Sequence, residues 1–168
     1  MIETLVAVAI LMISVAGPLT IAQKGLNAAI YARDQVVASF LAQDAMEFIK
    51  NYRDNNIIVG TGWLAGLYGD PLTFNVCNLS TPTKFCTVDT TGASPSITYN
   101  TYTTASQTLY NDGAGYKTSG TKTSKFSRRF YITNVSNDEA TVVVEVIWYN
   151  GTIQNSVILE DQIFRIIR

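Results

Sequence analysis

MIETLVAVAILMISVAGPLTIAQ, residues 1–23, decides how this chain is built. No charged residue stands between Thr4 and Gln23, and most positions are Leu, Ile, Val, Ala or Met. A run of about 20 such residues has the length of a helix that crosses the hydrocarbon of a bilayer. A secretory signal peptide is the alternative, but no basic region precedes the run, no A-x-A-like cleavage site follows it, and Glu3 stands at its start. Residues 1–24 are therefore predicted to form an apolar helix that belongs in an apolar medium.

The dipeptide Gly17-Pro18 interrupts this run. Proline removes one backbone donor and clashes with the preceding turn, at a cost of about 3 kcal/mol in a helix interior. In lipid, the carbonyl groups that lose their donors need other partners. We expect a kink or a short unwound stretch between Ile13 and Thr20.

Residues 25–55 change from uniformly apolar to striped. Apolar residues recur there at steps of three and four, as in a helix with one buried and one solvated face. Asn55-Asn56 and then Gly60 and Gly62 predict the end of this helix. The predicted buried stripe is Leu26, Ala29, Ile30, Val36, Val37, Phe40, Leu41, Ala45, Phe48, Ile49 and Tyr52, whereas Asp34, Asp44 and Glu47 are assigned to the solvated face.

Residues 56–125 are rich in Thr, Ser, Gly and Asn and are predicted to be mainly loops with short strands. Two cysteines, Cys77 and Cys86, lie nine positions apart in this region. The chain has no histidine and no further cysteine that could complete a zinc shell with them. Two free thiols and a disulfide remain as interpretations, and the extracytoplasmic location argued below favours the disulfide.

Residues 126–168 alternate between apolar and polar side chains and are rich in β-branched and aromatic residues. The Asn-Gly dipeptide within them is a strong short hairpin signal. An antiparallel three-stranded meander is predicted, whose apolar face packs on the amphipathic helix, giving an α+β fold. The predicted strands are Phe126–Val135, Thr141–Tyr149 and Ser156–Ile167, separated by Asn137-Asp138 and Asn150-Gly151.

Charge and composition disfavour several classes of function. The formal charge of −1 lacks the basic footprint of a duplex-binding protein, so a nucleic acid is a disfavoured partner. An enzyme is not expected, because the chain has no histidine, no Gly-rich phosphate loop and no paired acids at a strand end. No cofactor or metal is needed to explain any motif. A loose basic stretch is interpreted as a solvated loop rather than a single-strand binding track, and it consists of Lys117, Lys122, Lys125, Arg128 and Arg129.

The first ten residues, MIETLVAVAI, resemble the conserved start of type IV pilins and type II secretion pseudopilins. In that family a dedicated prepilin peptidase removes a leader, and a Glu opens the apolar helix of the mature chain; Glu3 occupies that position here. The leader and two mature residues are expected to precede Met1. The resemblance implies a pilin fold and a subunit that leaves the cytoplasmic membrane to polymerise with identical subunits in an extracellular filament at the cell surface. An assembly ATPase and a platform protein are implied as further partners.

The resemblance also implies roles for individual residues. Glu3 is expected to meet the N-terminal amine of a neighbouring subunit during assembly; the alternative is an acid that simply lies at the headgroup interface. Gly17 and Pro18 match a segment that unwinds when helices pack in the filament, with an ordinary transmembrane kink as the alternative. The expected filament core is lined by Leu5, Val6, Val8, Ile10, Leu11 and Ile13.

Other interpretations stay open at the level of the sequence. The alternatives to a filament subunit are a minor pilin, a pseudopilin of a type II secretion-like system, or a stand-alone membrane-anchored surface domain that binds a ligand. Adhesion, motility and DNA uptake are not distinguished. Asn78 and Asn134 begin Asn-x-Ser/Thr sequons and are candidate glycosylation sites, although chance explains most sequons in so Thr-rich a chain.

Overall fold

The computed structural model describes residues 2–68, 77, 85–91, 96–100, 107–113 and 115–166. It contains one long helix, α1, followed by one antiparallel sheet of seven strands. This architecture confirms the predicted α+β fold. The elements are α1 (Ile2–Val59), β1 (Phe85–Asp89), β2 (Ser96–Asn100), β3 (Gln107–Asn111), β4 (Tyr116–Lys117), β5 (Thr123–Thr133), β6 (Glu139–Asn150) and β7 (Ile153–Phe164).

The chain divides into two compact units, Met1–Val36 and Val37–Arg168. The first unit is made of the N-terminal part of α1. The second contains the C-terminal part of α1 and the whole sheet. Within residues 2–36 no apolar side chain is buried, so the hydrophobic core belongs to the second unit.

Strand β5 organises the sheet. Along one edge it pairs with β6, from Phe126↔Trp148 to Thr133↔Thr141, and β6 in turn pairs with β7. Along its other edge it pairs with β3 and, further on, with β1 at Cys86↔Phe130. Strand β2 adds to β1, and β4 adds to β3. The meander predicted from the alternating C-terminal residues is confirmed as β5–β6–β7.

The core of the second unit lies between α1 and one face of the sheet. Three small residues on α1, Ala38, Ala42 and Ala45, are at most 1% exposed, and their size lets the helix backbone approach the strands closely. A fully buried Val or Leu side chain contributes about 1.5–3 kcal/mol to stability. The alternating inward residues of β6 supply much of this layer, and they are Ala140, Val142, Val144, Val146 and Trp148.

Helix α1 ends at Val59, four residues beyond the end of the predicted amphipathic segment. Gly60 has a φ of 79°, a left-handed conformation that glycine adopts without strain. The Gly60 N–H donates to the Ile57 carbonyl at 3.2 Å, and the Thr61 N–H donates to the Asn56 carbonyl at 3.0 Å. This pair of bonds is a Schellman motif, and it satisfies carbonyls that the helix end would otherwise leave unpaired.

The β6–β7 hairpin confirms the turn predicted from Asn150-Gly151, with a difference of one position. Asn150 pairs with Ile153, so the two loop residues are Gly151 and Thr152 rather than Asn150 and Gly151. Gly151 has a φ of 64°, whereas Thr152 does not have a positive φ. A glycine at the first loop position is typical of a type II′ hairpin, so the glycine rather than the asparagine fixes the register.

The disulfide is confirmed: Cys77 and Cys86 are bridged, with their Cα atoms 5.4 Å apart, and both are fully buried. The Cys77 N–H donates to the Leu67 carbonyl at 3.3 Å, and the Ile132 N–H donates to the Cys77 carbonyl at 2.7 Å. The disulfide joins residue 77 to β1, and the two hydrogen bonds join it to the loop that follows α1 and to β5.

Replacing both cysteines by alanine is expected to lower the free energy of unfolding by about 2–3 kcal/mol, because the bridge restricts the unfolded chain. Chemical denaturation of the detergent-solubilised chain, with and without a reductant, measures this difference. Reductant should shift the unfolding midpoint of the parent chain and leave that of the double variant unchanged. Equal midpoints for the two chains without reductant would contradict a stabilising role.

Candidate functional site

The N-terminal unit presents apolar side chains in every direction around the helix axis. The six residues predicted to line a filament core are between 50% and 75% exposed. Positions 5, 6, 8, 10, 11 and 13 are spread around a helix that turns by about 100° per residue, so no polar face separates them. A helix that is apolar all round requires an apolar environment. The residues in question are Leu5, Val6, Val8, Ile10, Leu11 and Ile13.

This part of α1 is long and apolar enough to span a bilayer, judged by its length and composition. No residue of the span is buried within the chain itself. The helix is thus compatible with membrane anchoring, as the sequence indicates. Transfer of these exposed apolar side chains from water into lipid, or into contact with another protein surface, lowers the free energy.

Glu3 lies in the first turn of α1 and is exposed. A carboxylate in this position interacts favourably with the positive end of the helix dipole and with unpaired N–H groups. Glu3 is the only acid among the first 33 residues of this sequence, and the next charged residue is Lys24. What it pairs with in an assembly stays a prediction.

The chain is helical at every position from Ile2 to Val59, so no unwound stretch separates Ile13 from Thr20, whereas a kink at Gly17 and Pro18 stays a prediction. Pro18 withholds a single donor, whereas unwinding a turn would free several backbone groups that an apolar environment cannot satisfy. Nearby hydroxyls bond to the helix backbone, from Ser14 to the Leu11 carbonyl and from Thr20 to the Ala16 carbonyl, both at 2.8 Å. Unwinding on packing against other helices remains a prediction.

The packed part of α1 begins later than the amphipathic stripe predicts. Leu26 and Phe40 are 63% and 66% exposed, whereas Leu41 and Ile49 belong to the core. The predicted helical period is correct, but the predicted buried face is too wide. Exposed apolar residues follow the same three- and four-residue steps as the buried ones. The assignment of Asp34 to solvent is wrong, as it is only 1% exposed, whereas Glu47 is exposed as predicted.

Arg128 of β5 joins α1 to the sheet from within the core. Its side chain is 1% exposed, and its guanidinium donates to the Leu41 carbonyl at 2.9 Å and to the Val88 carbonyl at 2.7 Å. It also forms an ion pair with Asp44 at 2.9 Å. Burial lowers the pKa of Arg128 from its ordinary value, and the hydrogen bond and charge of Asp44 oppose this effect. The three acceptors lie on α1 and β1, so one side chain fixes three elements together.

Two cations of α1, Lys50 and Arg53, contact the last strand, β7. Lys50 forms an ion pair with Asp161 on β7, and the hydrogen bond from Lys50 lowers the pKa of that carboxyl. Arg53 donates to the Phe164 carbonyl at 3.1 Å and pairs with Asp54 at 2.7 Å. The helix is therefore held on the sheet by polar contacts at the edge as well as by the apolar core.

Asp89, at the end of β1, is held ionised by its surroundings. Partial burial would raise its pKa, but hydrogen bonds from Thr118 and Thr91 outweigh burial and lower the pKa from 3.8 to about 2. The Thr118 hydroxyl lies 2.7 Å from the carboxylate, and the Thr91 N–H lies 3.0 Å from it. This carboxylate joins β1 to the turn after β4 and needs no ligand to explain it.

The loose basic stretch is not a solvated loop, because most of it belongs to β5. Besides the buried Arg128, Arg129 pairs with Glu145 at 2.6 Å and lies 4.3 Å from the centre of the Phe85 ring. Only Lys122 and Lys125 of the five cations are exposed. The arrangement offers no continuous basic track.

The two candidate glycosylation sites differ in what can be said of them. Asn134 is exposed in the turn after β5, with a φ of 48°, and asparagine tolerates this conformation better than most residues. Asn78 lies outside the described residues. The hydroxyl of Ser136, the third residue of the Asn134 sequon, is already bonded to the backbone of Glu139.

Among the described residues, no group of three or more His, Cys, Asp or Glu side chains is placed to hold a metal ion. A scan against protein-family models, a search of curated proteins and a search of solved structures each returned no match.

Proposed function

We propose that this chain is a structural subunit of a pilus-like filament, which polymerises through the N-terminal part of α1 and presents the β-sheet unit at the filament surface. The observation that carries the proposal is the fully exposed apolar segment with a single acid in its first turn. An anchor needs only the apolar surface. The early acid adds a charge that lipid disfavours, and a partner in an assembly can compensate for it.

Hydrophobic burial alone does not drive this polymerisation. The segment is removed from water both in lipid and among identical helices, so the apolar transfer term largely cancels. Packing between helices and the pairing of Glu3 then decide which state is preferred. Because the lipid and filament states are close in free energy, assembly would need dedicated machinery. The resemblance implies such partners: a prepilin peptidase, an assembly ATPase and a membrane platform protein.

The test is electron microscopy of fibres sheared from cells that carry the native gene and its assembly machinery, with antibody directed to the β-sheet unit. Antibody label along the whole length of the filaments supports a structural subunit. Label confined to short or terminal segments favours a minor pilin or pseudopilin. Recovery of the chain only in the membrane fraction, from cells whose other filaments are intact, overturns the proposal in favour of an anchored surface domain.

A further inference from the structure

Strand β7 forms a long outer edge of the sheet. Among the described residues it pairs with β6 alone, over twelve residues from Ile153 to Phe164. An unpaired edge of this length is a template for another extended chain, and proteins normally protect it with charge, proline or a covering element. The strand contains no proline, and Ile158 in its middle is 61% exposed.

The hairpin register identifies which backbone groups face outward. Asn150 and Ile153 flank a two-residue loop and so exchange both of their hydrogen bonds. Bonded pairs then recur at every second residue, and the odd-numbered residues of β7 direct their N–H and C=O groups toward β6. The even-numbered residues direct theirs to the open edge, and these are Gln154, Ser156, Ile158, Glu160, Gln162 and Phe164.

One end of this edge is already occupied. The Gln162 N–H donates to the Asp161 carboxylate at 2.8 Å, and the Phe164 carbonyl accepts from Arg53 at 3.1 Å. Both are outward groups in the derived register. Strand addition is therefore limited at the Phe164 end, and the open part runs from Gln154 to Glu160.

The open edge is complementary to itself. If two copies of β7 pair antiparallel about a two-fold axis at Ile158, this residue faces its own mate, and Ser156 faces Glu160 of the other copy. Exposed isoleucine is buried against isoleucine, and each carboxylate meets a hydroxyl donor. The two Glu160 side chains lie about 14 Å apart at 3.4 Å per residue, beyond the roughly 8–10 Å over which exposed charges interact in physiological salt.

We propose that β7 is a self-association edge, at which two copies of this chain join their sheets through antiparallel β7–β7 pairing centred on Ile158. Such a two-fold contact closes on itself, whereas a polar filament grows through head-to-tail contacts. The pairing therefore links chains of different filaments, or unassembled chains in a membrane, and does not rest on the proposed polymerisation.

The contact is small, with about five residues from each copy, 156–160, because residue 154 would face the already occupied residue 162. It lies below the roughly 1,000 Å² that a stable interface buries. It becomes effective where many copies are held close together, as between two filaments or in a membrane. The test therefore uses membranes that contain the full chain, from a host without the assembly machinery, so that filament formation does not affect the result.

Ile158→Cys is expected to form a disulfide-linked dimer on mild oxidation with copper phenanthroline. Opposed residues of a hydrogen-bonded pair have Cα atoms about 5.5 Å apart, within disulfide range. The natural cysteines do not interfere, because Cys77 and Cys86 are joined to each other. The matched control is Ile153→Cys on the same strand, where the native isoleucine is 67% exposed. The two copies of residue 153 would be about 34 Å apart, at 3.4 Å per residue.

At least tenfold more dimer from Ile158→Cys than from Ile153→Cys supports the proposal, and equal yields overturn it. A second reporter avoids any change at the axis and stays within the open part of the edge: Ser156→Cys and Glu160→Cys chains, produced together, should cross-link with each other, while neither cross-links alone, because like positions lie about 14 Å apart. Adding Ile158→Lys to both should reduce that yield at least fivefold, because two like charges then face each other. Absence of cross-links in both reporter sets overturns the pairing.

Discussion

Glu3→Ala is expected to reduce the amount of filament in the sheared fraction at least tenfold and to leave the chain in the membrane. A carboxylate in lipid is unfavourable by several kcal/mol unless it is protonated or paired. If a cation of the neighbouring subunit neutralises Glu3 in the filament, the acid favours the filament over lipid. Alanine removes this preference, and a difference of about 1.4 kcal/mol already corresponds to a factor of ten. Quantitative immunoblots of sheared and membrane fractions measure the effect.

Two further variants separate the charge from other properties of the residue. Glu3→Gln keeps nearly the same size without the charge and should behave as alanine does. Glu47→Ala removes an exposed acid from the packed part of the same helix and should leave filaments at the parent level. Parent-level filaments in both Glu3 variants would show that the acid does not govern assembly.

Arg128→Ala is expected to lower the free energy of unfolding of the β-sheet unit by about 3–4 kcal/mol, through loss of a large buried side chain and of its hydrogen bonds. Arg128 is 1% exposed and bonds to two carbonyls and to Asp44, so its removal leaves a cavity between α1 and β5. Denaturant titration in detergent, followed by tryptophan fluorescence, measures the change. Trp148 is a suitable reporter, because it is 1% exposed within the same core.

Arg129→Ala is the matched control, since it removes the same side chain from the next position of β5. Arg129 is 23% exposed and pairs with Glu145 on the other face of the sheet, so its loss should cost about 1 kcal/mol. Arg128→Met, which keeps most of the volume but none of the donors, should fall between the two. Equal destabilisation by both alanine variants would contradict the role of Arg128 as the link between helix and sheet.

The sequence was sufficient for the features that depend on local pattern. The length of the apolar run, the period of α1 and the alternation of β5 to β7 follow from single-residue preferences, and the structure has each of them. The lack of histidine and of further cysteines argues only against a zinc site, and the disulfide is favoured over two free thiols by the extracytoplasmic location that the resemblance implies. The short strands β1 to β4 are not individually predicted, because β1 and β3 join the sheet through pairing with the distant β5, and β2 and β4 add only to β1 and β3.

The errors have specific physical causes. Arg128 was grouped with neighbouring cations by sequence proximity, although the alternation Phe126, Arg128, Phe130 already placed it on the inward face of the predicted strand. The unwound alternative at Pro18 follows from local cost alone, whereas the helix on both sides outweighs one missing donor. Exposed residues such as Phe40 were counted as core because a helical period cannot tell a buried apolar face from an uncovered one. The assembly role of Glu3 stays a prediction, because its partner lies outside the chain.

The separation in sequence between α1 and the strands that it packs on has a consequence for biosynthesis. Residues Ala38 to Ile49 leave the ribosome roughly a hundred residues before the inward side chains of β6. During that interval the helix lacks most of the sheet on which it packs, and contacts of such long range form slowly. Insertion of the N-terminal segment into a bilayer during translation would keep α1 helical until the strands that cover it have been synthesised. If the second unit is extracytoplasmic, as the proposed function requires, we expect it to acquire its full protease resistance only after its last strands have crossed the membrane.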